Sequence, residues 1–400
     1  MKKILFLLSV GLLLLSCIKD HPSPQVLKTS EKKLHFSGNG GVWQLTVNSN
    51  AGWQVSGTTD WCQTSKTDGY NTDYIAVTVT PNDTQEKRST TLTLQSERVQ
   101  TQVLIEQDTL SGEYHYRLPV IFHIFYADAT DTLQNIKTNV IEKLITECNE
   151  AYREHPGSVG MNLELVAATE DPDGNPLDVP GINRILKSTA AYQSCQTFMQ
   201  NENKTNAALI WNPNQYINVF IYQFTENNTL GISHLPYTPR ENSLAGLQAS
   251  NIYYTRLPAY PHSISLNSTY LYEETAYKTL VHELGHYLGL HHVFSEKDCE
   301  ETDYCDDTPS YNREEYLSWL QENQEISFLQ KCQRNGCESG TFISRNYMDY
   351  DYSYLELFTP DQFLRVRHVL ENSPLLPGPK NILVTKVACE ETIPPIRTME

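Results

Sequence analysis

The segment Thr279-Leu-Val-His282-Glu283-Leu-Gly-His286-Tyr-Leu-Gly289-Leu-His-His292 decides the fold and the chemistry of this chain of 400 residues. His282 and His286 are four residues apart, so they lie on the same face of a helix and both imidazoles can reach one metal ion. A straight helix would carry His292 about 9 Å beyond His286, at about 1.5 Å per residue. Gly289 can adopt the positive φ that ends a helix, so we expect the chain to turn there and bring His292 back.

This pattern predicts one catalytic zinc ion. Three neutral imidazoles leave one coordination position for water, and zinc lowers the pKa of that water towards about 7. Glu283 can take the proton of the water and later give it to a leaving amine, as a general base and then an acid. His291 competes with His292 as the third ligand, but only His292 has the expected spacing. A helix with core histidines is the weaker alternative, because all the fixed positions match together.

A second motif, Asn346-Tyr-Met348-Asp-Tyr350, resembles the Met-turn of metzincin peptidases. The resemblance implies that Met348 forms an apolar floor under the three imidazoles without binding the ion. It also implies that Tyr350 donates a hydrogen bond to the charge that develops on the reacting carbonyl. The alternative for Tyr350 is that it is simply one of 24 tyrosines in an aromatic-rich chain.

The resemblance narrows to the pappalysin family over about residues 115–372. It rests on four motifs: the helix motif from His282, Asp303-Tyr-Cys-Asp-Asp-Thr308-Pro309, Asn346 to Tyr350, and Phe358-Thr-Pro-Asp-Gln362. The family implies a two-lobed endopeptidase, with a twisted sheet and two long helices above the cleft and a mostly irregular lobe below. It also implies an edge strand within Leu230 to Pro236 that pairs with the backbone of a protein or peptide substrate. The substrate-pairing residues would be Leu230, Gly231, Ile232 and Ser233.

The same resemblance implies a structural calcium site. Asp303 and Thr308 would be ligands together with the main-chain carbonyl of Cys305, which replaces the usual valine; calcium prefers oxygen ligands. The alternative is an acidic surface loop without metal. Tyr354 departs from the family, because it stands where an acidic residue would select basic side chains after the scissile bond. Between residues 26–107 and the catalytic unit, no separate segment is typical of a pro-segment.

Residues 26–107 are predicted to form short alternating strands and an all-β sandwich of Ig-like size. Trp53, Trp61 and Val103 to Gln107 resemble a BACON module. Such modules have been proposed to bind carbohydrate, and Trp43, Trp53 and Trp61 could stack on sugars, but we favour their burial in the core. The predicted fold class is therefore an N-terminal all-β Ig-like sandwich, which we interpret as a spacer, followed by an α+β (α/β/α-like) metzincin domain.

The start of the chain is typical of a bacterial lipoprotein signal peptide. Lys2-Lys3 precede the apolar run Ile4 to Leu15, which is shorter than the roughly 20 residues of a membrane span. Cys17 stands at the position of the lipid-modified cysteine, and Ile18 after it favours the outer membrane over the inner one. The predicted organisation is a signal peptide at 1–16, a lipidated linker at 17–25, the sandwich at 26–107, a linker at 108–114, the catalytic domain at 115–372 and a tail at 373–400.

Cysteines and charge add two further expectations. Four cysteines crowd between residues 299 and 337, so we expect two disulfides in this exported chain, either 299–332 with 305–337 or 299–337 with 305–332. Zinc binding by these cysteines is less favoured, because no CxxC pair is present. Acidic residues outnumber basic ones 48 to 30, which argues against nucleic acid as a partner.

The leading hypothesis is an active zinc endopeptidase that cleaves extended protein or peptide substrates. One alternative is a surface adhesion or glycan-binding lipoprotein in which the zinc domain is vestigial. A third hypothesis is a zinc hydrolase of cell-wall amides, which would share the metal chemistry and differ in the shape of the cleft.

Overall fold

The computed structural model describes residues 25–82, 84, 86–109, 114–187, 191–200, 204–250, 258–338, 340–381 and 394–399. The predicted signal peptide, the lipidation site Cys17 and Cys389 lie outside these residues. Among the residues described, no helix combines the length and the apolar character needed to cross a membrane.

The N-terminal region is β-rich, as predicted, and its strands form two sheets around one core. One sheet has the order β1-β3-β7-β5 and the other the order β2-β9-β8-β4-β6. Side chains alternate along each strand, which decides which face is buried. In β9, Val103 and Ile105 point into the core, whereas Gln102, on the opposite face of the strand, is exposed. The strands are β1 Leu27–Thr29, β2 Lys33–Phe36, β3 Gly41–Ser49, β4 Gly52–Ser56, β5 Cys62–Thr64, β6 Asp68–Tyr70, β7 Asp73–Val79, β8 Arg88–Gln95 and β9 Gln100–Gln107.

The tryptophans of this region pack as core residues rather than as an open platform. Trp53 is 2% exposed, and its indole N–H donates a hydrogen bond to the Asn71 carbonyl. Trp43 and Trp61 are partly buried against the same core. The Arg88 guanidinium covers the Trp61 ring at 4.6 Å from its centroid.

The C-terminal region mixes helices with a sheet of eight strands, also as predicted at the level of fold class. The main path of the sheet is β11-β10-β14-β18-β15-β21, with β12 beside β10 and β13 beside β14. Strands β10, β14 and β18 run parallel, whereas β15 is antiparallel to both β18 and β21. The strands are β10 Tyr116–Tyr126, β11 Leu163–Ala167, β12 Ile182–Leu186, β13 Tyr192–Gln193, β14 Ile217–Phe224, β15 Gly231–His234, β16 Tyr237–Thr238, β17 Gln248–Ala249, β18 Ile264–Asn267, β19 Gln333–Asn335, β20 Thr341–Ile343 and β21 Ile396–Met399.

Two long helices, α1 and α4, lie against each other and share one core with the sheet. The Tyr152 hydroxyl, just after α1, donates a hydrogen bond to the Val281 carbonyl within α4 at 3.0 Å. Below α4, the chain forms short helices and a two-stranded sheet of β19 and β20. The helices are α1 Thr138–Ala151, α2 Cys195–Met199, α3 Lys204–Ala207, α4 Ala276–Tyr287, α5 Arg313–Glu322, α6 Phe328–Lys331 and α7 Pro360–Asn372, with 3-10 turns at Arg240–Asn242 and Ser268–Tyr270.

The cysteine prediction is half right. Cys299 and Cys337 form a disulfide, but Cys305 and Cys332 are free and buried. The predicted second bridge is wrong because the two thiols face different groups. The Cys305 thiol lies 3.8 Å from the Asp303 carbonyl oxygen, whereas Cys332 ends helix α6 beside Arg334.

The segment after α7 is also more than the tail that the sequence suggested. Leu376 is fully buried, and the Pro379 carbonyl accepts a hydrogen bond from the Tyr116 hydroxyl at 3.0 Å. Lys380 pairs with Val42 of β3 through two backbone hydrogen bonds of 2.9 Å. The β-module therefore packs directly on the C-terminal region, which a spacer on a linker alone would not do.

Glu31 lies near this junction, and its ionisation should weaken the fold. Burial, and then the nearby Glu170 carboxylate, raise its pKa from 4.5 to about 7. Because the folded-state pKa is raised, the contribution of Glu31 to stability is greatest below pH 4.5 and is lost as the pH rises through 7. We expect Glu31→Gln to increase the free energy of unfolding at pH 8 by about 1 kcal/mol, a value reduced for partial exposure, and to change little at pH 4.

Differential scanning calorimetry at both pH values would measure this effect. Glu97→Gln is the matched control, since it removes the same charge from an exposed side chain. An equal gain at pH 4 and pH 8, or in the control, would contradict the assignment.

Candidate metal centre

Helix α4 places the first two histidines inside the core of the C-terminal region. His282, Glu283 and His286 are fully buried, with Leu280, Val281 and Leu284 packing around them. The helix ends at Tyr287, and Gly289 has a φ of +92°. A Cβ at Gly289 would also lie only 2.7 Å from Val369 Cγ2. The predicted turn at Gly289 is therefore present, and it returns His292 to the other two rings.

The three predicted ligands converge on one point. His286 Nε2 lies 3.0 Å from both His282 Nε2 and His292 Nε2. His282 Nδ1 lies 2.7 Å from the Tyr347 carbonyl oxygen, and His286 Nδ1 lies 2.9 Å from the Leu290 carbonyl oxygen. A carbonyl only accepts, so Nδ1 carries the proton in both rings and Nε2 presents a lone pair to the centre.

Such a cluster fits a cation. Lone pairs 3.0 Å apart without a proton between them repel one another, and a bound metal ion would remove that repulsion. Burial lowers the pKa of His282 to about 4 and the pKa values of His286 and His292 well below their ordinary value. The rings are therefore neutral at physiological pH, as metal binding requires. Within the described residues, this is the single group of three or more His, Cys, Asp or Glu side chains that could hold a metal ion.

Glu283 projects from α4 towards β15. A Cβ at Gly231 would lie 2.8 Å from Glu283 Oε1, so the glycine makes room for the carboxylate. Burial raises the pKa of Glu283 well above its ordinary value, and the backbone amide of Met399 opposes that shift. Among the described residues, neither carboxylate oxygen forms a hydrogen bond of normal geometry. The carboxylate is thus held beside the three histidines, with the Met399 amide as its nearby backbone donor.

The predicted Met-turn lies directly beneath the helix. Met348 is fully buried, and a Cβ at Gly285 would lie 2.4 Å from its sulfur. Asn346 Oδ1 accepts a hydrogen bond from the Met348 amide, and its Nδ2 donates one to Gln362 of α7. The absence of a side chain at Gly285 therefore leaves the space that the Met348 sulfur occupies.

Tyr350 lies over the cluster as well. Its ring centroid is 4.5 Å from that of His292 and 5.3 Å from that of His282. The Arg313 guanidinium lies 4.9 Å from the same ring. His291, the competing ligand, instead places its ring against Tyr304 at 5.2 Å and does not join the cluster.

The candidate calcium ligands also lie close together. Thr308 Oγ1 is 2.6 Å from Asp303 Oδ2 and 2.9 Å from the Cys305 carbonyl oxygen. Burial raises the pKa of Asp303 to about 6. The Thr308 hydroxyl lies within donating distance of both acceptor oxygens and has one proton to donate to either of them. The calcium site stays a prediction.

A cavity of about 540 Å³ opens beside His292 and Tyr350. The sequence analysis missed several residues that line it, because neither a motif nor a periodic pattern marks them. These residues are Phe294, Arg313, the acidic residues Glu296, Glu300 and Glu301, and Ile396, Arg397 and Thr398 of β21.

Comparison with known proteins finds matches over both regions of the chain. Residues 200–371 match a peptidase-family model described as pregnancy-associated plasma protein-A, and residues 51–108 match the BACON model, described as a putative binding domain. An extracellular metalloprotease of Arthroderma benhamiae is 38% identical over 91 residues, which are 22% of this chain and 30% of that protein. An extracellular metalloprotease of Arthroderma otae is 28% identical over 185 residues, which are 46% of this chain and 61% of that protein. The chain thus spans less than two thirds of these relatives.

Among solved structures, a GH5 xyloglucanase of Bacteroides ovatus in complex with a XXXG heptasaccharide aligns with a TM-score of 0.21 and 14% identity. The alignment covers 51% of this chain and 56% of the other, and the score is too low to indicate a shared overall fold. The two family models, in contrast, confirm the predicted resemblance to a pappalysin-type metzincin with an N-terminal BACON module.

The contact between Gly285 and Met348 should be a strict packing constraint. Gly285→Ala would place a methyl group 2.4 Å from the present position of the Met348 sulfur. We expect it to lower the free energy of unfolding by about 1–3 kcal/mol through overpacking. Met348→Ala should cost about 2–5 kcal/mol through the cavity that it leaves.

The double variant should lose less than the sum of the two single variants, because each change relieves the other. Denaturant unfolding of the four proteins would measure this coupling. Strictly additive losses would contradict the packing of Met348 against Gly285.

Proposed function

We propose, taking the pappalysin-type peptidase match of residues 200–371 as the premise, that this protein is a zinc-dependent endopeptidase. The observation that carries the proposal is the convergence of three imidazole Nε2 atoms beside a fully buried glutamate on helix α4. His282, His286 and His292 would hold the ion. Zinc, when bound, would lower the pKa of a water molecule and polarise the carbonyl of the scissile bond.

The chain's own residues supply the remaining chemistry. Glu283 is the general base that takes a proton from the attacking water and then transfers it to the departing amine. Tyr350, which lies over His282 and His292, donates a hydrogen bond to the oxygen on which negative charge develops. Met348 packs against Gly285, supports the helix that carries His282 and His286, and takes no part in proton transfer.

An extended peptide is the substrate that this site suits. Strand β15 runs directly beside Glu283, and Gly231 is the point of closest approach. Backbone pairing with such a strand holds a peptide in an extended form and tolerates many side chains.

The glycan-binding alternative receives less support. The ring of Trp53 is buried, and the Arg88 guanidinium lies over one face of the partly buried Trp61, which leaves these two rings little open surface for a sugar. A vestigial site would also have no need for the complete set of ligands, base and floor. Hydrolysis of cell-wall amides shares this metal chemistry and differs only in the substrate that fits the cleft.

Export of the protein fits the printed names of its relatives, which are extracellular metalloproteases. We propose in addition that Cys17 carries the lipid that anchors the protein to the bacterial outer membrane. A structural calcium ion at Asp303, Cys305 and Thr308 would brace the loop beside the cleft.

Glu283→Gln tests the mechanism, because it keeps the volume of a fully buried side chain and removes its basicity. We expect hydrolysis of a fluorogenic peptide library to fall by about 10²–10⁴-fold. Zinc content, measured by mass spectrometry of the purified protein, should stay at one ion per chain. His286→Ala should instead lose the metal together with the activity.

Glu274→Gln, which changes an exposed carboxylate, is the matched control and should retain full activity. A wild-type protein that binds zinc but cleaves no peptide would contradict the endopeptidase proposal. Unchanged turnover in Glu283→Gln would instead remove Glu283 from the mechanism.

A further inference from the structure

Strand β15 is not the free edge that the sequence analysis predicted. Strand β21 pairs with it in antiparallel fashion along its whole length, opposite the side taken by β18. The register places Met399 opposite Gly231 and Ile396 opposite His234. Outside this ladder, the Leu230 amide donates to the Met399 carbonyl at 2.7 Å and the Leu235 amide to the Pro395 carbonyl at 2.9 Å.

This strand lies beside the metal centre. Met399 is opposite Gly231, the residue whose Cβ would collide with Glu283, and the Met399 amide is near enough to lower the pKa of that carboxyl. Met399 is only 6% exposed and belongs to the same core as α4. Arg397 and Thr398 line the cavity that also contains His292 and Tyr350. The short strand therefore runs through the cleft past both the base and the third ligand.

Only one chain can pair with this side of β15 at a time. A strand edge offers a single row of N–H and C=O groups, so a second extended segment cannot add to it while β21 is in place. The side chain of Met399 also fills space next to the base. A peptide that approaches the same edge must first displace the strand.

We propose that Ile396–Met399 is an internal occupant of the peptide-binding edge, and that an extended substrate competes with it for strand β15. The proposal rests on the proposed function in one respect, that the edge of β15 is where the substrate binds. A tethered strand competes at an effective concentration in the millimolar range, well above that of most free peptides. If the strand is in place 90–99% of the time, it weakens the apparent affinity for a free peptide by about 10–100-fold.

The test measures binding of a fluorescent peptide with the sequence of residues 394–400, Pro-Pro-Ile-Arg-Thr-Met-Glu. All proteins carry Glu283→Gln, so that the peptide is not hydrolysed. The 400-residue chain is compared with a variant lacking residues 394–400 and with Met399→Asp, which buries a charge beside position 283 and expels the strand. Leu364→Asp, at a site that is 62% exposed, is the matched control for adding a charge.

We expect both altered chains to bind the peptide at least 10-fold more tightly than the 400-residue chain, and Leu364→Asp to bind like the parent. Equal dissociation constants for all four proteins, or no binding to any of them, would overturn the proposal. Met399→Asp gives an answer even if the shortened chain fails to fold.

Kinetics with active Glu283 separate this proposal from the proposed function. Displacement of the strand should lower KM for a peptide substrate and leave kcat unchanged. Hydrolysis with the same KM in every variant would contradict the proposal that Ile396–Met399 occupies the peptide-binding edge, but it would support the endopeptidase function. A large change in peptide affinity without any hydrolysis would support occupation of the edge by Ile396–Met399 and contradict the endopeptidase function.

Discussion

The structure depends on holding three lone pairs together. His286 Nε2 lies 3.0 Å from the Nε2 atoms of His282 and His292, and backbone carbonyls outside the cluster fix the rings of His282 and His286. The Tyr347 carbonyl fixes one ring and the Leu290 carbonyl another. Both carbonyls lie in segments whose path is itself constrained, one in the Met-turn and the other just after the positive φ of Gly289. Without a cation this arrangement is repulsive, so the fold supplies the geometry and the metal ion would supply the attraction.

The parts of this site that could be predicted from the sequence are local. Two histidines one turn apart need only a helix, and the turn at Gly289 needs only a residue that tolerates positive φ. The start of α7 is equally local, because Thr359 and Gln362 form a capping box around Pro360. In each case the interacting residues are only a few positions apart, so the sequence alone indicates which groups interact and how far apart they lie.

The parts that could not be predicted are contacts between distant segments. All four cysteines between residues 299 and 337 were expected to form disulfides, in one of two pairings, because they crowd in one stretch. Cys305 and Cys332 are free, and their thiols lie near the Asp303 carbonyl and near Arg334, respectively. The space that Gly285 leaves for Met348 is visible only once the Met-turn is placed under the helix. Strand β21 has four residues, too few for a period of two to distinguish it from a loop.

The segment after α7 connects these observations. At Lys380 it pairs with Val42 of the β-module, and at Ile396–Met399 it pairs with β15 beside the metal centre. The same stretch of chain thus contacts both the surface on which the module packs and the groove in which a substrate would lie. A strand with only one neighbour in the sheet, next to a buried carboxylate, is held less firmly than the central strands. Its release would expose the groove without disturbing α4 or the Met-turn, since the backbone contacts that fix the rings of His282 and His286 come from other elements.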